Sequence, residues 1–250
     1  MVELLLIPAE WEGEIKFIPE LKDYLEKNKV KSLALFSSVQ FTNLDNLKKE
    51  IENLGIQIKT TKAKRTDKPL QILGCDSYED SFQNPIIEEC DLTLYIGDGM
   101  FHPKALLLSQ INKENPKPIL ILNPIENKIE EINQENIKEQ LTRYKRNLKM
   151  FINAQTLGIL ITIKPGQQYL NTAKNLKEKL EKENKKAYIF IDDTLNLNQL
   201  ENYPFIDCWI NTACPRIGQD DIVNIEQPMI NLREANNPIK ALEELEKQRT

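Results

Sequence analysis

Cys214 lies in Asn211-Thr212-Ala213-Cys214-Pro215-Arg216-Ile217-Gly218, and Cys75 lies in Ile72-Leu73-Gly74-Cys75-Asp76-Ser77. Each is expected in a turn beside a buried strand. Two thiols carried one per α/β unit can meet in space while far apart in the chain. That arrangement suits a metal–sulfur cluster held between domains better than a zinc finger, whose ligands recur at short spacings. Buried free cysteine is the alternative for both. The other two cysteines, Cys90 and Cys208, lie beside or within apolar strands and are expected to be small buried hydrophobes.

Four further places carry chemistry. Gly97-Asp98-Gly99 follows an apolar run and leads to His102, the only histidine of the chain. It reads as a ligand-facing loop or as a plain strand-to-helix turn that uses glycine for positive φ. Gly166-Gln167 can bring backbone amides and a side-chain donor to a carboxylate, or can simply cap a helix. Gln40 holds the corresponding place in the first half and is open to the same two readings. Arg216 offers a bidentate fork for a carboxylate. The alternative is a structural bond to Asp220 or Asp221.

The elements that must position these residues alternate strand and helix. Apolar runs at residues 2–8, 30–36, 56–59, 92–96 and 119–122 read as strands of a first unit. Leu44, Leu47, Ile51 and Leu54 form one helical stripe, with Asn43 as the expected cap and Gly55 at its end. Pro103 is expected to open a helix that runs to residue 111. Residues 157–163, 187–191 and 208–211 read as strands of a second unit, with a helix face at Leu170, Ala173, Leu176 and Leu180. The two halves look like repeats. The expected fold class is α/β, as two tandem similar domains, each a mostly parallel sheet flanked by helices. The expected boundaries are a first domain over 1–123 with Cys75, a helical connector over 124–150, and a second domain over 151–250 with Cys214. Ligands in such folds bind beyond the carboxyl ends of the strands. The loops at Gln40, residues 97–102, Gly166-Gln167 and residues 214–218 all fall there, so the expected site is the cleft that they line.

Size and composition narrow the function classes. A chain of 250 residues can hold two such domains. A net charge of −5 argues against a broad grip on nucleic acid, and the basic run over residues 59–68 reads as a solvated loop. No run of 18 apolar residues suggests a membrane span. The first residues lack a basic stretch and read as a strand, so a cytoplasmic, reducing location is expected. There is no Walker-type loop and no Gly-x-Gly-x-x-Gly. With one histidine, serine- and zinc-hydrolase arrangements are excluded.

The strings Leu73-Gly74-Cys75, Tyr95-Ile96-Gly97-Asp98-Gly99-Met100-Phe101-His102-Pro103, Lys164-Pro165-Gly166-Gln167 and Asp207-Cys208-Trp209-Ile210-Asn211-Thr212-Ala213-Cys214-Pro215-Arg216 occur in that order, with Ser38-Val39-Gln40-Phe41 upstream. Together they resemble the archaeal and eukaryotic diphthamide synthesis enzymes. The resemblance spans nearly the whole chain. It implies similar α/β domains that each donate one cysteine to a 4Fe–4S cluster, here Cys75 and Cys214 as metal ligands. It implies S-adenosylmethionine as co-substrate, cleaved at its Cγ–S bond by one-electron reduction. The 3-amino-3-carboxypropyl fragment would pass to a histidine of translation elongation factor 2. Gln40, Gly97, Asp98, Gly99, His102, Gly166, Gln167 and Arg216 would face the cluster or the co-substrate.

The resemblance is to the second and third domains of a three-domain enzyme, so the first domain and its cysteine are expected to lie outside this chain. The third ligand would come from a separate subunit, from a second copy in a homodimer, or from Cys90 or Cys208, the last being the least suited. The activity implied is that of a 2-(3-amino-3-carboxypropyl)histidine synthase, as a partial or split subunit. The competing reading is a non-catalytic accessory or scaffold paralogue of that synthase.

Overall fold

A computed structural model describes residues 10–74, 76–110, 113, 116–164, 169–219 and 221–247. The expected strand over residues 2–8 lies outside them, as do Cys75, Gly166 and Gln167. The chain forms two compact units. One holds Met1–Gln110 with Asn115–Asn136, and the other holds Ile111–Glu114 with Ile137–Thr250.

The first unit is built on a five-stranded sheet. Its strands are β1 (Ser32–Ser37), β2 (Gln57–Lys59), β3 (Leu92–Ile96), β4 (Ile119–Asn123) and β5 (Lys128–Ile132), in the order β2-β1-β3-β4-β5. The first four run parallel; β5 is antiparallel to β4. Leu33, Leu35, Leu94 and Ile96 are buried completely, as a central parallel strand covered on both faces requires. They share a core with Leu21 and Leu25 of α1 (Pro19–Lys27) and with Leu47 and Ile51 of α2 (Asp45–Asn53). Each such side chain contributes about 1.5–3 kcal/mol relative to exposure.

Helix ends differ in detail from expectation. Asn43 does not cap α2: its N-cap is Leu44, with no side-chain cap, and Asp45 instead sets a negative charge in the first turn, where the helix dipole favours it. Gly55 does end the helix region with φ +78°. Pro103 is the third residue of α3 (Phe101–Leu108) rather than the first. It still falls among the first-turn N–H groups that have no intrahelical partner.

The second unit has a four-stranded, all-parallel sheet. Its strands are β6 (Thr156–Thr162), β7 (Lys186–Asp192), β8 (Cys208–Asn211) and β9 (Met229–Asn231), in the order β7-β6-β8-β9. Helix α5 (Leu170–Lys182) buries Ala173, Leu176 and Leu180. Helices α4 (Lys138–Asn153), α6 (Leu232–Asn236) and α7 (Pro238–Lys247) complete the unit.

The helical connector expected over 124–150 is corrected. Its first part is strand β5, hydrogen-bonded to β4. Ile129 and Ile132 are three apart, a spacing that also fits a helix, but Ile132 is fully buried in an antiparallel edge instead. Its second part is α4, which belongs to the second unit. Tyr144, Leu148 and Phe151 line its buried stripe, and it packs on β8, β9 and α7.

The repeat is visible in topology. Strands β1, β2, β3 and β4 occupy the same sheet positions as β6, β7, β8 and β9. Asp91, just before β3, accepts hydrogen bonds at Oδ2 from the N–H groups of Lys31 and Ser32, both at 2.9 Å. Asp207, just before β8, accepts at Oδ2 from Gln155 and Thr156 at 2.9 and 2.7 Å. One aspartate thus ties the start of the central strand in each unit.

Candidate functional site

Asn211 and Asn231 are the last residues of β8 and β9 and stand opposite each other in register. Both are almost fully buried. Asn211 Nδ2 donates to Asn231 Oδ1 at 2.7 Å and to the Cys214 carbonyl at 2.8 Å. Asn211 Oδ1 accepts from Ala213 N–H at 3.0 Å. Asn231 Nδ2 donates to the Pro215 carbonyl at 2.9 Å. The two amides therefore clamp the loop from both sides, and every polar atom of the pair is used. Thr212 fastens the same loop to β6, donating from N–H and Oγ1 to Leu160 O at 3.1 and 2.7 Å. Gly218 has to be glycine: a Cβ there would stand 2.2 Å from Asn231 Oδ1.

Cys214 in this loop is half-buried, whereas Cys90 and Cys208 are buried. Burial pushes the Cys208 thiol up, only partly opposed by its hydrogen bond with the Trp209 backbone. Burial also raises Cys90, with Lys59 and Lys117 opposing. Both lie in surroundings that favour the neutral thiol. Arg216 is 4% exposed, and its charge lowers the Asp221 carboxyl while burial, the larger effect, raises it. Asp221 is a charged neighbour of Arg216 among the described residues, and Asp220 lies outside them.

In the first unit the chain leaves β2 and returns beside the end of β1. Ser37 N–H donates to Leu70 O, and Ile72 N–H donates to Ser37 O, at 2.9 and 3.0 Å. Asp76 N–H then donates to Leu73 O at 2.9 Å. Cys75, between them in sequence, lies outside the described residues. Asp76 Oδ2 accepts from Arg65 N–H at 2.8 Å, which ties Asp76 to the preceding basic loop. A Cβ at Gly74 would lie 2.4 Å from the Phe101 ring, so the ring lies flush on the backbone next to Cys75.

Phe101 carries no signal in the sequence beyond membership of the string that runs to Pro103. Its ring meets His102 edge-on at 5.2 Å, and His102 stacks on Tyr95 at 5.9 Å. Tyr95 Oη and His102 Nδ1 are 3.2 Å apart. Burial keeps the Tyr95 hydroxyl protonated. A Cβ at Gly97 would lie 2.5 Å from that hydroxyl, and Gly99 has φ +67°. Both glycines are thus required by the loop itself. Gly97, Gly99 and Met100 form one wall of a cleft of about 400 Å³, with Asn123, Lys128 and Glu130 of the β4–β5 hairpin opposite. Gln40 is exposed in a single 3₁₀ turn, and its carbonyl accepts from Trp11 N–H at 2.9 Å.

The two cysteines do not hold equivalent places in the repeat. Cys75 sits in the connection from β2 to β3, whereas Cys214 sits in the connection from β8 to β9. The counterpart of the Cys214 loop in the first unit is the Gly97–Gly99 loop. Among the described residues no group of three or more histidine, cysteine, aspartate or glutamate side chains could hold a metal ion. No described helix is long and apolar enough to cross a membrane.

These features define an α/β protein of two parallel-sheet units with its cysteine loops at or beside the carboxyl ends of the strands. Residues 2–248 match the family model of the diphthamide synthesis proteins, and the chain belongs to that family. It is 24% identical to the 2-(3-amino-3-carboxypropyl)histidine synthase of Pyrococcus horikoshii, over 98% of this chain and 68% of that one. It is 25% identical to the synthase of the same name from Methanocaldococcus jannaschii, over 91% of this chain and 59% of that one. The crystal structure of Dph2 from Pyrococcus horikoshii superposes with a TM-score of 0.70 at 22% identity, covering 93% of this chain and 63% of that one. A structure of the same protein with a 4Fe–4S cluster gives 0.67. The chain thus spans about two thirds or less of the length of these relatives.

Proposed function

We propose that this chain is a cluster-bearing part of a 2-(3-amino-3-carboxypropyl)histidine synthase. It would act in the first step of diphthamide formation, on a histidine of translation elongation factor 2. The observation that carries this reading is the Cys214 loop. It holds a half-buried thiol at the carboxyl end of a parallel sheet, clamped by Asn211 and Asn231. The donor chemistry fits an iron–sulfur cluster: Cys214 is reachable, while Cys208 at the start of β8 and Cys90 just before β3 are buried. Cys75 is assigned as the second ligand, and a third thiolate comes from a separate subunit or a second copy.

When bound, such a cluster supplies the one electron that breaks the Cγ–S bond of S-adenosylmethionine. The protein's part is placement. The amide clamp fixes the Cys214 backbone, so that the thiol direction is set before any ligand arrives. The Phe101 ring shields the backbone beside Cys75 from water. The cleft beside Gly97 and Gly99 is the space in the first unit that we assign to the co-substrate, with Asp98 on the same loop and His102 behind it. Gln40, Gly166, Gln167 and Arg216 are assigned supporting contacts, with Arg216 acting through Asp221.

The alternative reading, an accessory paralogue without chemistry of its own, draws on the shorter length relative to the synthases. One experiment separates the two. The anaerobically reconstituted protein is incubated with elongation factor 2, dithionite and S-adenosylmethionine labelled in its aminocarboxypropyl carbons. Label on the factor, lost in Cys214→Ala, is the expected result. A cluster-loaded protein that transfers no label, alone or with its partner subunit, leaves only the accessory role.

A further inference from the structure

Three side chains of the first unit run in a row from its interior toward its surface. Ser38 follows β1, Tyr95 lies within β3, and His102 is the second residue of α3. Strands β1 and β3 are neighbours, and the chain leaves them in opposite directions across the sheet, from β1 to β2 and from β3 to β4. Their carboxyl ends are the switch point of the sheet, where open α/β folds bind ligands. Tyr95 is fully buried and Ser38 is 3% exposed, whereas His102 is half-buried. Tyr95 Oη and His102 Nδ1 are 3.2 Å apart. Ser38 Oγ makes no hydrogen bond of ordinary geometry among the described residues. It stands close enough to the Tyr95 hydroxyl to favour its ionised form, which is the effect of a donor.

A count of protons sets the direction of this row. Each hydroxyl has one proton to give. If Nδ1–H donated to Tyr95, Tyr95 would have to donate to Ser38, and the Ser38 proton would be left in the interior without an acceptor. Buried donors are rarely left so. In the other direction Ser38 gives its proton to Tyr95 Oη, and Tyr95 gives its own to Nδ1. His102 is then a neutral imidazole with its proton on Nε2, the nitrogen turned away from the buried phenol. The same ring meets Phe101 edge-on, and Phe101 lies on Gly74, the residue before Cys75.

We propose that Tyr95 is a positioning residue that, backed by Ser38, locks His102 in the Nε2–H tautomer, so that His102 offers a hydrogen-bond donor to an anionic acceptor at the carboxyl ends of β1 and β3. His102 is not a base in this arrangement, because its basic nitrogen is occupied by the phenol. Two acceptors have the required chemistry, a cluster sulfur and the carboxylate of the co-substrate, so the inference rests on the function proposed above. A donor to sulfur raises the reduction potential of a cluster. A donor to the carboxylate tightens co-substrate binding.

His102 is the only histidine of the chain, so histidine labelled with nitrogen-15 gives a single imidazole spectrum. The first measurement is a long-range proton–nitrogen correlation on the cluster-free full chain. The proton is expected on Nε2, and the Nδ1 resonance is expected to move in Tyr95→Phe, where its hydrogen bond is gone. A proton on Nδ1, or an Nδ1 resonance indifferent to Tyr95→Phe, overturns the proposal. This step needs no cluster, so it fails separately from the proposed function. The second measurement uses the reconstituted chain, with His102→Gln as the variant whose amide N–H replaces the Nε2 donor. A cluster potential that falls in His102→Leu, falls less in Tyr95→Phe and is held in His102→Gln assigns the donor to sulfur. An unchanged potential, with co-substrate binding weakened about tenfold or more in His102→Leu and recovered in His102→Gln, assigns it to the carboxylate. Potential and affinity both unmoved in His102→Leu overturn the donor role. A chain that takes up no cluster overturns the proposed function and the donor role with it.

Discussion

Asn211 and Asn231 close the Cys214 loop from two adjacent strands, with 2.7 Å between Nδ2 and Oδ1. Asn231→Leu takes one of two acceptors from the buried Asn211 amide and takes the side-chain donor from the part-buried Pro215 carbonyl. Each such loss costs about 1–3 kcal/mol. Urea unfolding should therefore show a loss of about 2–4 kcal/mol, while the far-ultraviolet signal of the folded state is kept. A loss below about 0.5 kcal/mol would mean that the clamp is not needed to hold the loop.

Gly218→Ala should fail for a related reason. The new Cβ would stand 2.2 Å from Asn231 Oδ1, which cannot retreat without breaking the clamp. Forced side-chain shifts in a packed site cost about 1–3 kcal/mol. Gly55→Ala has open space around it but φ +78°, so its smaller cost should come from backbone strain. Thermal melts of the two variants distinguish crowding from strain, because Asn231→Ala should relieve Gly218→Ala and leave Gly55→Ala unchanged.

Glu234 sets an alkaline-side pH dependence. It is almost fully buried in α6, and burial raises its carboxyl, opposed by a hydrogen bond with Tyr144 and by the nearby charge of Arg233. The folded state therefore holds a proton that the unfolded chain releases near 4.5. Stability from this group is complete below that value and declines as pH rises through the folded pKa. Glu234→Gln should remove the decline and raise the melting temperature at neutral pH. An unchanged pH profile would place the proton elsewhere.

Asp91 acts in the opposite direction. Hydrogen bonds from the Lys31 backbone, then from the Ser32 side chain and backbone, hold its carboxyl below 3.8. Its contribution is present above that value and is lost as pH falls through the folded pKa. Asp91→Asn should flatten the acid limb of the stability profile. An acid limb as steep as before would contradict this.

Much of the fold can be read from the apolar runs. Strands β3 and β8 fall where Leu92–Ile96 and Cys208–Asn211 predict them. Strand β5 is hidden because Ile129 and Ile132 fit a helix as well as an edge strand, and only pairing with β4 decides. Strand β9 is three residues in an irregular stretch, too short for a period to show. That is why Asn231, the partner of Asn211, has no sequence signal. The paired roles of Asp91 and Asp207 are likewise invisible until topology aligns the repeats. The Gly97–Gly99 loop was legible as a loop, but its glycines answer to Tyr95 packing and positive φ before any ligand.

The most direct measurement is electron paramagnetic resonance with iron quantification on the anaerobically reconstituted, dithionite-reduced chain, together with its cysteine variants. The account predicts a 4Fe–4S signal that is lost in Cys214→Ala and survives in Cys208→Ala and Cys90→Ala. A signal that persists in Cys214→Ala, or one that depends on Cys208, would contradict the central assignment.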